Sequence, residues 1–143
     1  MLKKIKIYAD LVADLFHRGH VEFLKKAKAI MHNSYLVVGI HSDKDCTIYK
    51  RKPIFSMEDR IEIVNACKYV DEIIPNAPLE ITQNFIKLHK IDLVVHGDDL
   101  TDFHININYR IPLKLGIMRT IPYYKGISST EIINRIRSME WEK

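Results

Sequence analysis

His17 and His20 stand three residues apart around Arg18 and Gly19, after an apolar run and before a helical one. Side chains three apart share a face on the first turn of a helix, where unpaired amides and the helix dipole attract an anion. A glycine at that point lets the anion approach the backbone. The pair therefore reads as a clamp for a phosphate chain. A second anion site is legible at Gly126, Ile127, Ser128, Ser129 and Thr130, which put a glycine and hydroxyls at a helix start. Amides and hydroxyls there can hold phosphate as well as cap the helix.

Such side chains need a scaffold that ends strands and starts helices on one side. The chain opens with a strand over 4–10, a helix over 21–30 carrying Val21, Phe23, Leu24, Ala27 and Ile30 on its apolar face, and a strand over 35–41. The second strand is almost continuously apolar, as in parallel sheets covered on both faces. Ser56, with Asp59 three residues later, heads a helix to Cys67 that precedes a strand over 69–75. The alternation continues with a helix over 79–89, a strand over 91–95, a helix over 108–115, a strand over 118–122 and a last helix opened by Ser128 or Ser129. This pattern predicts an α/β fold: a single doubly wound domain over residues 1–143, with a five-stranded parallel sheet and right-handed crossovers. Ligands of such folds sit at the carboxyl ends of the strands, so loops 10–18, 42–55, 96–106 and 123–128 are expected to carry function.

Composition narrows the field further. With 143 residues, 47% hydrophobic and 28% charged, the chain suits one domain with a proper core rather than a disordered segment. Its apolar runs are strand-length, well short of the roughly 20 residues that a membrane helix needs. The lysines near the amino terminus are not followed by the apolar stretch and small-residue site of a secretory signal. A cytoplasmic protein without a membrane span is expected. Cys46 and Cys67 have neither Cys-x-x-Cys spacing nor a zinc-type histidine pattern, which suits a reducing compartment. The net charge of +4 comes from basic residues interleaved with acids, which argues for an anionic small ligand and against nucleic acid.

Beyond His17-Arg18-Gly19-His20, further motifs line up along the chain. They are Tyr8-Ala9-Asp10, Asp14-Leu15-Phe16, Val38-Gly39-Ile40-His41-Ser42-Asp43, Tyr69-Val70-Asp71-Glu72, Asn76-Ala77-Pro78 and His96-Gly97-Asp98-Asp99, besides Lys50, Arg60 and the 126–130 segment. On these the chain resembles the cytidylyltransferase family, most closely the phosphocholine and phosphoethanolamine cytidylyltransferases, nearly from end to end. The resemblance implies a Rossmann-like nucleotidyltransferase fold and CMP transfer from CTP to a phosphorylated amino alcohol, as in phospholipid biosynthesis. A substrate phosphate oxygen would attack the α-phosphorus in line, and pyrophosphate would leave without a covalent enzyme intermediate. It assigns catalysis to His17, His20 and Lys50. It puts Asp14, Gly19, Arg60, His96, Asp98, Gly126, Ile127, Ser128, Ser129 and Thr130 around the nucleotide. Mg²⁺ is expected with the nucleotide and not in a protein cage, and the family's habit is a homodimer. The shared motif does not separate this activity from adenylyl transfer with ATP, or from a nucleotide-binding module with weakened catalysis.

Two stretches depart from the family pattern. Leu11-Val12-Ala13-Asp14 stands where a glycine usually opens the first motif, and Tyr123-Tyr124-Lys125-Gly126 where Arg-Thr-x-Gly is usual, so an arginine clamp is missing. Asp10 matches the members that take choline or ethanolamine phosphates, which implies a cationic head group. Leu79 and Asp102 occupy two positions matched to the family's head-group aromatics, and Tyr109 a third. Asp10, Asp102 and Tyr109 are therefore the expected head-group contacts, a set with more carboxylate than rings. It suits a primary ammonium, which donates hydrogen bonds, better than a trimethylated one.

Overall fold

The computed structural model describes residues 2–141. Five parallel strands form one sheet in the order β3-β2-β1-β4-β5. They are β1 (Ile5–Leu11), β2 (Ser34–Ile40), β3 (Glu72–Ile74), β4 (Leu93–Gly97) and β5 (Met118–Ile121). The helices between them are α1 (Arg18–Ala29), α2 (Asp43–Tyr49), α3 (Met57–Asn65), α4 (Gln83–His89), α5 (Arg110–Lys114) and, after β5, α6 (Ser129–Ser138). The strand order reverses between β1 and β4, which opens a crevice at their carboxyl ends. No helix among the described residues is long and apolar enough to cross a membrane.

Strand alternation divides the core into two. Ile7 and Ala9 of β1, with Leu36, Val38 and Ile40 of β2, pack against Leu24 and Ala27 of α1 and Val64 of α3. Tyr8 and Val37 turn to the other face, against Ile86 of α4, Ile81 and Tyr109. Helices thus cover both faces, as the unbroken apolar run of β2 requires.

Besides shifted ends, such as α4 starting at Gln83 and β4 running to Gly97, three elements differ from the sequence pattern. The 42–55 loop contains α2, capped by Ser42 Oγ on the Asp45 amide at 3.1 Å and carrying Asp43 and Asp45 in its first turn. Strand β3 keeps only three residues, because the Asp71 carboxylate takes the Leu36 amide and the Lys28 ammonium ahead of it. The helix expected over 108–115 starts at Arg110, behind a π-helical turn at His104–Asn108 closed by Tyr109 N donating to His104 O at 2.8 Å.

Arg60, expected beside the nucleotide, has no exposed surface and turns its guanidinium inward. Its guanidinium donates to Val12 O at 2.7 Å, His41 O at 2.9 Å and Phe55 O at 3.3 Å, and it pairs with Asp43. The fork ties the loops after β1 and β2 to the start of α3. A buried carbonyl left without its donor costs about 1–3 kcal/mol. Arg60→Leu should therefore lower unfolding free energy in urea by about 3 kcal/mol or more, and Arg60→Lys should recover only part of it, since one ammonium cannot reach three loops. A midpoint unchanged in Arg60→Leu would show that the fork holds nothing.

Candidate active site

A cavity of about 500 Å³ opens at the carboxyl ends of β1 and β4. One end is built on helix starts. His17 is the N-cap of α1, and its Nδ1 accepts the Gly19 amide at 2.9 Å. His20 reaches back so that its own Nδ1 accepts the His17 amide at 3.1 Å. An amide can only donate, so in each neutral ring the remaining proton lies on Nε2. Gly19 is needed for this cap: a Cβ there would sit 2.6 Å from the His17 ring. Burial holds His17 below the usual imidazole value. Burial, then the charges of His17 and Lys50, hold His20 at about 3. Two uncharged rings with Nε2–H donors result, their centroids 4.0 Å apart and His20 stacked on Phe16.

The start of α6 closes the same end. Ser128 Oγ accepts the Glu131 amide at 3.1 Å, and Ser129 Oγ donates to Asp14 O at 3.0 Å, which fastens α6 to the loop before α1. The first-turn amides of α6 ahead of the Ser128-capped Glu131 border the cavity, with Ile127, Ser128, Ser129 and Thr130 in its wall. Lys50, the C-cap of α2, also lines it, near enough for its charge to act on His20.

The other end is acidic at its root. Asp10 sits near the end of β1 with a fully enclosed side chain. Its Oδ1 accepts the Tyr109 hydroxyl, while Oδ2 lies 3.3 Å from His41 Nε2 in a charge contact that is not aligned as a hydrogen bond. Burial would push the Asp10 carboxyl up, yet His41 and the Tyr109 hydroxyl outweigh it and hold it below the ordinary carboxylate value. Burial likewise presses His41 down, and the Asp10 carboxylate overcomes it and raises the ring above its usual value. Around this pair lie Tyr49, Phe103, His104 and His96. The rings of Tyr49 and Phe103 stack at 6.1 Å, and His96 lies 5.1 Å from Tyr109.

Of the expected residues, His17, Gly19, His20, Lys50, His96, Ile127, Ser128, Ser129, Thr130, Asp10 and Tyr109 share this one cavity. Asp14 borders it too, but its carboxylate is spent on the amides of Ile54 and Phe55 and on Arg51 at 2.8–2.9 Å, so it positions the loop. Asp98 is exposed outside the cavity wall, where Oδ1 takes the Tyr123 amide at 2.9 Å. Gly126 also lies outside the wall, where a Cβ would strike the Tyr124 hydroxyl at 2.5 Å. Asp102 faces solvent between Thr101 and Phe103, which line the cavity instead, because the π-helical turn begins beside them. Leu11 packs on the core as well as lining the cavity. Sequence reasoning gave no role to His41, Tyr49, Phe103, His104 or Asn108. The place of His41 at the carboxyl end of the second strand and of Tyr49 in the loop after it is the available signal, whereas the π-helical turn that presents the others leaves none. Among the described residues no three of His, Cys, Asp and Glu converge as a metal cluster.

A model of the cytidylyltransferase-like family matches residues 12–135. Ethanolamine-phosphate cytidylyltransferase of Dictyostelium discoideum is 38% identical over 137 residues, covering 91% of this chain and 37% of that protein. Human choline-phosphate cytidylyltransferase A is 35% identical over 135 residues, covering 94% of this chain and 37% of that one. The chain spans about two fifths of the length of the curated relatives it matches. Among solved structures, a lipopolysaccharide core biosynthesis protein from Thermoplasma volcanium GSS1 superposes with a TM-score of 0.70 at 26% identity, over 86% of this chain and 100% of that one.

The two ends of the cavity should titrate in opposite senses. His41, raised by folding, stabilises the fold fully below the ordinary histidine value of about 6.5, and loses that contribution as pH rises through its folded value. His20, depressed by folding, costs stability as pH falls below about 6.5, because only the unfolded chain then takes the proton. Ring-proton NMR should show His41 still charged above pH 6.5, and His20 neutral until the pH approaches about 3. Both rings titrating near 6.5 would overturn this assignment of charge to the two ends.

Proposed function

The chain belongs to the cytidylyltransferase-like family, and on that premise we propose that it transfers CMP from CTP to a phosphorylated amino alcohol of the phosphoethanolamine or phosphocholine type. The observation that carries this reading is one cavity with two uncharged imidazole donors between helix starts at one end and a buried carboxylate at the other. The relatives named for ethanolamine phosphate and choline phosphate support it. A phosphate oxygen of the alcohol forms the new bond to the α-phosphorus of CTP, the bond to the β-phosphate bridge breaks, and pyrophosphate leaves.

Each group has a task in that displacement. His17 and His20 donate Nε2–H to oxygens whose charge grows in the transition state, without bringing a second net charge to the site. The amides of Ser129 and Thr130 and the hydroxyls of Ser128 and Thr130 hold the leaving phosphates, while the Ser129 hydroxyl stays on the Asp14 carbonyl. Lys50 bridges the incoming phosphate and the α-phosphate as a point charge. The carboxylates present do not fit a protein-held metal, since Asp14 is saturated and Asp98 lies outside the wall, so we assign Mg²⁺ to the triphosphate alone. The reading extends to a cytoplasmic homodimer. It is supported by the resemblance and by two free cysteines, Cys46 and Cys67, and sedimentation measures the dimer.

Pyrophosphate release with CTP or ATP, against ethanolamine, choline and glycerol phosphates, tests the assignment. Expected is release with CTP and an amino-alcohol phosphate; release only with ATP would replace the reading. His17→Ala and His20→Ala should each fall at least a hundredfold in turnover, since one oxyanion donor is worth about 10²–10³ in rate. Near-normal turnover in either would remove that residue from the chemistry. Tyr123, which lines the cavity where the family carries arginine, gives a gain-of-function test. Tyr123→Arg should raise CTP turnover about tenfold, roughly 1.4 kcal/mol of barrier; a loss would mean that the pocket depends on the tyrosine.

A further inference from the structure

Both nitrogens of His41 face oxygen acceptors. Nδ1 lies 3.1 Å from Ala77 O and Nε2 lies 3.3 Å from Asp10 Oδ2. A carbonyl and a carboxylate only accept, so a neutral ring, with one N–H, would set a lone pair against one of them. The arrangement calls for imidazolium. The neighbours of His41 agree in balance. Asp10 and Asp45 hold the proton, Arg60 and Cys46 meet only the backbone carbonyl of His41, and the Tyr49 ring lies edge-on at 6.3 Å. Facing Asp10 are Tyr109, whose proton is committed to Oδ1, the burial-raised Tyr8, and His96, whose Nδ1 donates to Gly97 O at 3.0 Å. The acid expected to attract a cationic head group therefore already holds a cation, and its side chain is wholly enclosed.

We infer that a primary ammonium head group binds at Asp10 by taking the place of the Nε2 proton of His41. The imidazolium releases that proton to solvent, and Nε2 recovers its lone pair while Nδ1 keeps its bond to Ala77 O. The ammonium then donates one N–H to Nε2 and another to Asp10 Oδ2. The two atoms, 3.3 Å apart, need only a small outward shift of the ring for one nitrogen to reach both. Asn108 Oδ1, buried without a partner in a residue of the cavity wall, is an acceptor for the third N–H. One positive charge leaves as another enters, so the carboxylate is never uncompensated. A quaternary ammonium has no N–H to give, so it cannot replace the Nε2 proton and would leave Asn108 Oδ1 unsatisfied, which is how a site built to hydrogen-bond rejects an analogue lacking the donor. His41 is thereby a specificity-determining residue, and the preference for the primary amine sharpens as pH rises through its titration. This inference rests on the proposed use of Asp10 for the head group.

Calorimetric titration of the full chain with ethanolamine, choline and glycerol phosphates at pH 6.5, in two buffers of different ionisation enthalpy, counts the protons. Phosphoethanolamine should release about one proton more than glycerol phosphate, and phosphocholine should not. The excess should vanish in His41→Asn. Should that variant fail to fold, the His41 ring-proton resonance of the wild type should move from its imidazolium to its imidazole position on adding phosphoethanolamine, and stay put with phosphocholine. Equal proton release and an unmoved resonance, with phosphoethanolamine bound, would overturn the role of His41 and leave the transferase reading intact. If none of the amino-alcohol phosphates binds or is turned over with CTP, both fall.

Discussion

A helix start leaves amides without partners, and in this chain the amides at the start of α1 are satisfied by the two rings best placed to meet a phosphate. His17 spends its Nδ1 on the Gly19 amide and His20 spends its own on the His17 amide, so neither ring can choose its tautomer. Both present Nε2–H and nothing else. Gly19 matters because a side chain there would push the His17 ring off its amide. Phe16 stacks on His20, and burial holds that ring uncharged. A protonated His20 would lose its acceptor atom and with it the cap, so the chemistry of the rings and the geometry of the helix stand or fall together.

The rest of the molecule holds that start in register with a second one. Ser129 anchors α6 to the Asp14 carbonyl, Asp14 gathers the 51–55 segment by two amides and a guanidinium, and Arg60 binds the backbone after β1 and β2 from below. These bonds are internal, and they commit the charged groups of Asp14 and Arg60, which match family motifs, to the protein's own loops. Across the crevice the polarity reverses. Asp10 is the only fully enclosed carboxylate among the ion pairs of the described residues, and it is neutralised from within by His41. A substrate with phosphate at one end and an amine at the other matches this division along the cavity.

Period and punctuation made the sheet and its crevice legible. The continuous apolar run of β2, the alternation of helix and strand, and the hydroxyl caps at Ser56 and Ser128 are local signals, and each element they mark is present. The family match added the pairing of a histidine end with Asp10. Direction was not legible. In sequence an Asp or Arg looks the same whether it borders the cavity against another side chain, as Asp10 does at the His41 contact, or is turned to backbone amides and carbonyls, as Asp14 and Arg60 are. Sequence spacing also assumes regular helices, and the π-helical turn at His104–Asn108 shifts the register by which Phe103 and Tyr109 meet the cavity and Asp102 does not. The helix α2, short and capped by Ser42, was hidden inside a segment read as a loop.

Orientation of the bound product is the most direct test of the central claim, that one cavity separates a phosphate end from an amine end. A crystal structure with CDP-ethanolamine should show the diphosphate within hydrogen-bond distance of Nε2 of both His17 and His20, between the starts of α1 and α6, and the amine against Asp10 and His41. A diphosphate remote from both histidines, or a cytosine ring occupying the Asp10 end, would contradict it.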